Sequence, residues 1–166
     1  MTTTALPPQH SENDATPPAE QLKDRTGDRR VGLLGTLVIF AGVLLGASGA
    51  GTWAMVQNSL ADEQISVAAD AKRFAGDRVD GPLTAYYQAD IIETHSLKIG
   101  GGKTYAELDR EDPARATVMN GSFLRASLFT SVVAFGIAAM AMGLGIVFVL
   151  IGLALRAIAR PARHAS

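Results

Sequence analysis

Polar and apolar residues are sorted along this chain into long blocks. After a polar N-terminal stretch, residues 31–56 run for 26 positions without Asp, Glu, Lys, Arg or His. A charged segment, 57–125, follows, and then residues 126–155 form a second charge-free block of 30 positions. Each block exceeds the roughly 20 apolar residues that cross a ~30 Å hydrocarbon core. A charge at mid-bilayer costs about 2.5–3.5 kcal/mol, so uncharged blocks of this length are what a bilayer selects. The pattern predicts an all-α membrane protein: two transmembrane helices with a small helical extracytoplasmic domain between them. The expected boundaries are a disordered cytoplasmic tail over 1–30, spans over 31–56 and 123–155, the extracytoplasmic domain over 57–122, and a basic cytoplasmic tail over 156–166.

Finer patterning divides the middle segment into helical pieces. Residues 63–74 are alanine-rich and are expected to carry the first span outward as helix until Gly76. Asp80-Gly81-Pro82 reads as a turn into a new helix, with proline in the first turn where its missing N–H is harmless. Leu83, Tyr87, Ile91 and Thr94 recur at helical spacing and predict its semi-apolar face. Gly100-Gly101-Gly102 should end it, because glycine has the most conformational freedom to lose. Asp112-Pro113 predicts the next start, with Asp112 as N-cap and Pro113 at the first helical position. Asn120-Gly121 reads as the end of that helix, and Ser122 as the cap of the second span. Tyr86, Tyr87 and Tyr105 are expected to form a small core. A domain of about 65 residues without a disulfide is marginal alone and should lean on the outer ends of the spans.

Charge sets the orientation. Lys23, Arg25, Arg29 and Arg30 precede the first block, and Arg156, Arg160 and Arg163 follow the second. Cytoplasmic loops are enriched in such residues close to the spans, so both termini are expected inside, at the plasma membrane. The eight Lys/Arg of the middle segment lie in a stretch too long for that rule. Arg29, Arg30 and Arg156 then anchor the inner interface, and Trp53 and Arg125 the outer one, where aromatic rings and snorkelling stems suit the headgroups. A cleaved signal sequence is the competing reading of the first block, with Ser48-Gly49-Ala50 as its small-residue site. The ~30-residue polar tail ahead of the block and the apolar run through Val56 favour an uncleaved span.

Ten of the 17 glycines fall in the two blocks. Gly35, Gly42 and Gly49 recur every seven residues, and Gly42 with Gly46 forms a GxxxG. Ala139/Gly143, Ala141/Gly145 and Gly145/Gly152 give similar rows in the second block. Small residues at these spacings let helix backbones approach closely, which replaces the hydrophobic drive that lipid removes. The expected helix-packing set is therefore Gly35, Gly42, Gly46, Gly49, Ala139, Gly143, Gly145 and Gly152, used within the chain or with a membrane partner or second copy.

Catalytic signals are sparse. Gly102-Lys103-Thr104 resembles the tail of a phosphate loop, but Leu97 stands where its first glycine belongs. His95 lies two positions from Glu93, and residues so spaced do not face each other on a helix. It is also the only histidine outside the tails, so a two-His-one-carboxylate iron site cannot come from this segment alone. Glu107, Asp109, Glu111 and Asp112 lack the spacing and glycine of a calcium loop. With no cysteine, thiolate chemistry and disulfides are excluded, and a net charge of −1 gives no support for nucleic-acid binding. No cofactor is expected. Clean spans also argue against transport, which generally needs ionisable groups at membrane depth.

The run GKTYAELDREDPARATVMN from Gly102, continuing as SFLRASLFTS from Ser122, resembles a family of small actinobacterial membrane proteins. The resemblance takes in residues 77–87 and covers most of 31–155. Members often carry the label "aromatic ring-opening dioxygenase", after the small subunit of an extradiol enzyme. Some have a cysteine pair near the positions of Arg73 and Tyr87, where this chain has none. The resemblance implies a two-span membrane fold and, through its label, one alternative function as a dioxygenase subunit, although the chain offers no matching iron ligands. The residues themselves point to a non-enzymatic accessory or interaction subunit of the cell envelope, with a lipid or ligand sensor using the Leu83/Tyr87/Ile91 face as a further alternative.

Overall fold

The computed structural model describes residues 18–159. Those residues form three helices, α1 (Pro18–Asp62), α2 (Pro82–Ile99) and α3 (Arg115–Ile158), with no strand. Two of them, over Asp28–Asp62 and Arg115–Ile158, are long and apolar enough to cross a membrane. They run antiparallel along most of their length, and α2 packs on α3. Of the tail expected to be disordered, residues 1–17 lie outside the described residues, while 18–30 form the first turns of α1. Pro18 sits in the first turn, and Ala19, Glu20, Gln21, Leu22 and Lys23 are all good helix formers. Arg160 and Arg163 also lie outside the described residues.

The long helices are nearly bare. Only 11% of the most apolar window of the first and 17% of that of the second is buried. Leu33, Leu37, Phe40 and Leu44 on α1, and Ile137, Ile146, Leu150 and Leu153 on α3, point outward and are exposed. A core helix of a soluble domain would have these side chains covered.

Between the helices the buried positions follow a heptad. On α1 the inward positions are Gly42, Gly46, Gly49, Trp53, Val56 and Leu60; on α3 they are Leu128, Ser131, Phe135, Ala138, Met142, Gly145, Val149 and Gly152. Steps alternating three and four keep one stripe facing the partner, the periodicity of a left-handed crossing of about 20°. The stripe is graded in size. Toward the termini the glycines alternate with Met142 and Val149, while Trp53 packs edge-on against Phe135 toward the other end, ring centroids 4.7 Å apart.

The connecting segment caps that wider end. Its core is aliphatic: Val67, Val79, Ala85 and Ala89 are buried together with Leu60 of α1 and Leu128 of α3. The three tyrosines are not this core. Tyr86 and Tyr105 are exposed, Tyr87 is half-buried, and the rings pack over the rim, Tyr86 against Phe129 at 5.8 Å and Tyr87 against Phe74 at 5.4 Å. Helix α1 also stops earlier than its alanine content suggests. It ends at Asp62, Gln64 takes a left-handed φ of 52°, and Ser66 forms an isolated antiparallel bridge with Arg78. The N–H of Val67 donates to Asp77 O at 2.8 Å and that of Val79 to Ile65 O at 2.9 Å. Two β-branched side chains then reach the core, which a continued helix would carry away from it.

Helix α2 starts and stops at the expected signals. Pro82 follows the Gly81 N-cap, Thr84 Oγ1 accepts from Gly81 N–H at 3.1 Å, and Gly101 and Gly102 leave the helix with φ of 63° and 86°. Its buried side is Ala85, Ala89 and Ile91, whereas Leu83 and Thr94 of the expected face are exposed. The small alanines permit the close approach that larger apolar residues would prevent. The third helix starts two residues later than Asp112-Pro113 suggests: Ala114 is its N-cap and Arg115 its first residue, while the Asp112 carboxylate accepts from Ala114 N–H at 2.8 Å in the turn before it. That helix runs unbroken through Asn120-Gly121. Gly121 lies where α2 crosses: an added Cβ would collide with Ser96 Oγ and come within 3.2 Å of Ser96 Cβ. Close packing accounts for this glycine, at the roughly 1 kcal/mol that glycine costs a helix interior.

Candidate functional site

Two features could carry function: the seam between α1 and α3, and the polar ties that seat the cap. The seam is set by glycine pairs. A Cβ on Gly35 would lie 2.8 Å from Gly152 O; on Gly42, 2.7 Å from Gly145 O; on Gly49, 2.7 Å from Ala138 O. Each step of seven residues along α1 meets a step of seven back along α3, so the contact is antiparallel and in register. The neighbours are backbone atoms, which cannot rotate aside. Each glycine is thus required by proximity and not by φ, since all lie in regular helix.

The small residues divide by face. Gly35, Gly42, Gly49, Gly145 and Gly152 are buried in the seam. Gly46 borders it: its N and Cα lie 2.7 and 2.9 Å from where a Gly145 Cβ would be, yet its own Cβ would meet open space. Ala139 and Gly143 lie on the outward face of α3, and a Cβ at Gly143 would touch nothing within 4 Å. Ala138, which the glycine rows do not single out, takes the third seam position. Its signal is the heptad running Leu128, Phe135, Ala138, Gly145 and Gly152.

The residues read as interface anchors take varied positions. Arg29, Arg30 and Arg156 are exposed near the chain ends, and the Arg156 stem crosses α1 over Gly35, its Cγ 2.9 Å from where a Cβ there would stand. Trp53 is half-buried against Phe135. Arg125 reaches α2, where its Nη2 lies 2.9 Å from Glu93 Oε2, and its guanidinium stacks 5.3 Å from the Phe129 ring.

Three further ties fasten the 63–81 loop to α2. Lys72 Nζ donates to Asp90 Oδ2 at 3.1 Å, Ala68 N–H donates to Gln88 Oε1 at 2.9 Å, and His95 Nε2 lies 2.7 Å from Asp70 Oδ2. The His95 hydrogen bond holds the Asp70 carboxyl below its usual range, with a weaker pull from the Lys98 charge. His95 therefore pairs across 25 positions, while Asp90 and Glu93 have other partners. In the second loop, Thr104 donates both its N–H (2.8 Å) and its hydroxyl (2.7 Å) to Glu107 Oε2, and these bonds, the N–H first, lower the Glu107 carboxyl. Arg115 donates to Tyr105 O at 3.0 Å and to Leu108 O, closing that loop over α3.

Chemically, these are structural ties between exposed or half-buried groups. Among the described residues no three His, Cys, Asp or Glu side chains converge as a metal cluster. No family model matches the chain, and no curated protein or solved structure does either.

Proposed function

We propose that the chain is an integral membrane protein of the cell envelope, whose two apolar helices cross the plasma membrane as a tight antiparallel hairpin. In this reading both termini are cytoplasmic and the 63–114 cap lies on the outer face. It acts as a non-enzymatic accessory or interaction subunit. The observation that carries the membrane reading is the distribution of apolar surface: glycine packs the inside of the pair, and Leu, Ile and Phe cover the outside. Soluble proteins rarely expose apolar patches beyond a few hundred Å², whereas hydrocarbon is indifferent to such a surface. The interaction reading is supported by the charge-free blocks 31–56 and 126–155, which lack the ionisable groups of pumps and transporters, and by apolar side chains exposed on the cap and just below it. Leu83, Tyr86, Phe123 and Leu124 are all exposed there.

Gentle detergent extraction followed by crosslinking and mass measurement tests the interaction reading. The expected outcome is a fixed-stoichiometry assembly with a membrane partner or a second copy, weakened by Tyr86→Ala or Phe123→Ala. A chain that stays monomeric and captures nothing reproducible contradicts it.

A further inference from the structure

The seam closes on glycine at one end and opens at the other. Beyond Trp53 and Phe135, α1 and α3 border an open groove of about 330 Å³. Its end nearer Trp53 is apolar, bordered by Met55, Val56 and Ala134. Toward the cap it carries the hydroxyls of Ser59 and Ser127 and the Glu63 carboxylate, while Thr130 and Ser131 stand on α3 about level with Val56. The change falls at the end of the charge-free blocks, where Gln57 and Asn58 begin the polar segment on α1. An apolar floor under a polar mouth at that level matches an amphiphile standing in the outer leaflet.

The polar mouth favours one headgroup chemistry. Thr130 Oγ1 donates to Ala126 O at 2.9 Å and Ser131 Oγ to Ser127 O at 3.3 Å. Their protons are thereby engaged with the helix backbone, and they present lone pairs to the groove. Glu63 is the only ionisable side chain lining it, and when ionised it only accepts. The single carboxylate at the outer end selects a donor-rich cation. A primary ammonium, with three N–H donors, suits it; a quaternary ammonium has none to give, and an anionic headgroup is repelled. We propose that this groove binds a phospholipid with a primary amine headgroup, of the phosphatidylethanolamine type. The ammonium sits against Glu63, and an acyl chain lies along Met55 and Val56.

This site rests on the proposed membrane reading, and the test separates the two. The full chain is first washed in its native membrane at alkaline pH; release from the membrane overturns the membrane reading and the site with it. The retained protein is purified in mild detergent and offered equal amounts of phosphatidylethanolamine, phosphatidylcholine and phosphatidylglycerol with matched acyl chains. Native mass spectrometry then counts the lipid kept. Retention of the ethanolamine lipid about threefold above either competitor is expected, the size of one partly exposed charge contact. Glu63→Gln should erase the preference over phosphatidylcholine, and Ser131→Leu should reduce all bound lipid by filling the groove. Equal retention of the three lipids by the parent chain, or an unchanged preference in Glu63→Gln, overturns the site and leaves the membrane reading standing.

Discussion

Gly42 and Gly145 stand face to face with no room between them for a methyl group. A Cβ built on either would come within 2.7 Å of the other's carbonyl oxygen, and the Gly145 position is also 2.7 Å from Gly46 N. Gly145→Ala must therefore push the helices apart, at about 1–3 kcal/mol for overpacking a tight contact. Gly143→Ala, two residues away, meets only open space and should be neutral or stabilising by up to about 1 kcal/mol through helix propensity. Reversible unfolding of both variants in mixed micelles checks the contrast. Equal effects would mean that the seam does not hold the pair.

Arg125 ties the cap to α3. With both partners of the Glu93 pair about 40% exposed, its coupling should be small, about 0.5 kcal/mol in a double-mutant cycle with Glu93→Ala and Arg125→Ala. Arg125→Lys keeps the charge but gives up the planar stacking on Phe129, so it should recover only part of the loss. Thermal unfolding followed by Trp53 fluorescence reads these differences.

The Asp70–His95 bond makes the loop 63–81 weakly acid-sensitive. Asp70 is depressed in the folded chain from an ordinary value of 3.8, mainly by the His95 hydrogen bond. A depressed carboxyl stabilises the fold above its unfolded pKa, and that contribution fades as pH falls through the folded one. The tie is thus present at neutral pH and lost below about pH 3.8. Carboxyl NMR shifts should show Asp70 returning toward its ordinary value in His95→Ala, while Glu107, held by Thr104, stays depressed. An unmoved Asp70 would contradict the pairing.

Much of the long-helix architecture was legible in the sequence, because block lengths and the seven-residue glycine spacing are properties of a single helix. Which glycines meet is not. Gly143 and Gly145 are both small residues in α3, and only the matching of heptads on two helices puts Gly145 in the seam and leaves Gly143 outside it. In the cap, Asp80-Gly81-Pro82 and the glycine triplet are strong local signals and bound α2 as expected. The 63–81 loop is not legible in the same way, since its alanines favour helix locally, while burial of Val67 and Val79 is decided by residues distant in the chain. The alternation of Ile65 and Val67, matched by Val79, was the available clue. His95 with Asp70 is a pairing of the same kind, set by tertiary packing.

If α1 and α3 cross a bilayer as a hairpin with the cap outside and both ends inside, each position has a defined accessibility from either side. A chain with no cysteine permits the most direct test, in which single cysteines are placed at Arg30, Leu44, Arg110 and Arg156 and exposed to a membrane-impermeant maleimide on intact cells. Labelling is expected at Arg110 on intact cells, at Arg30 and Arg156 only after permeabilisation, and at Leu44 in neither case. Labelling of Leu44, or of Arg30 and Arg110 together on intact cells, would contradict that arrangement.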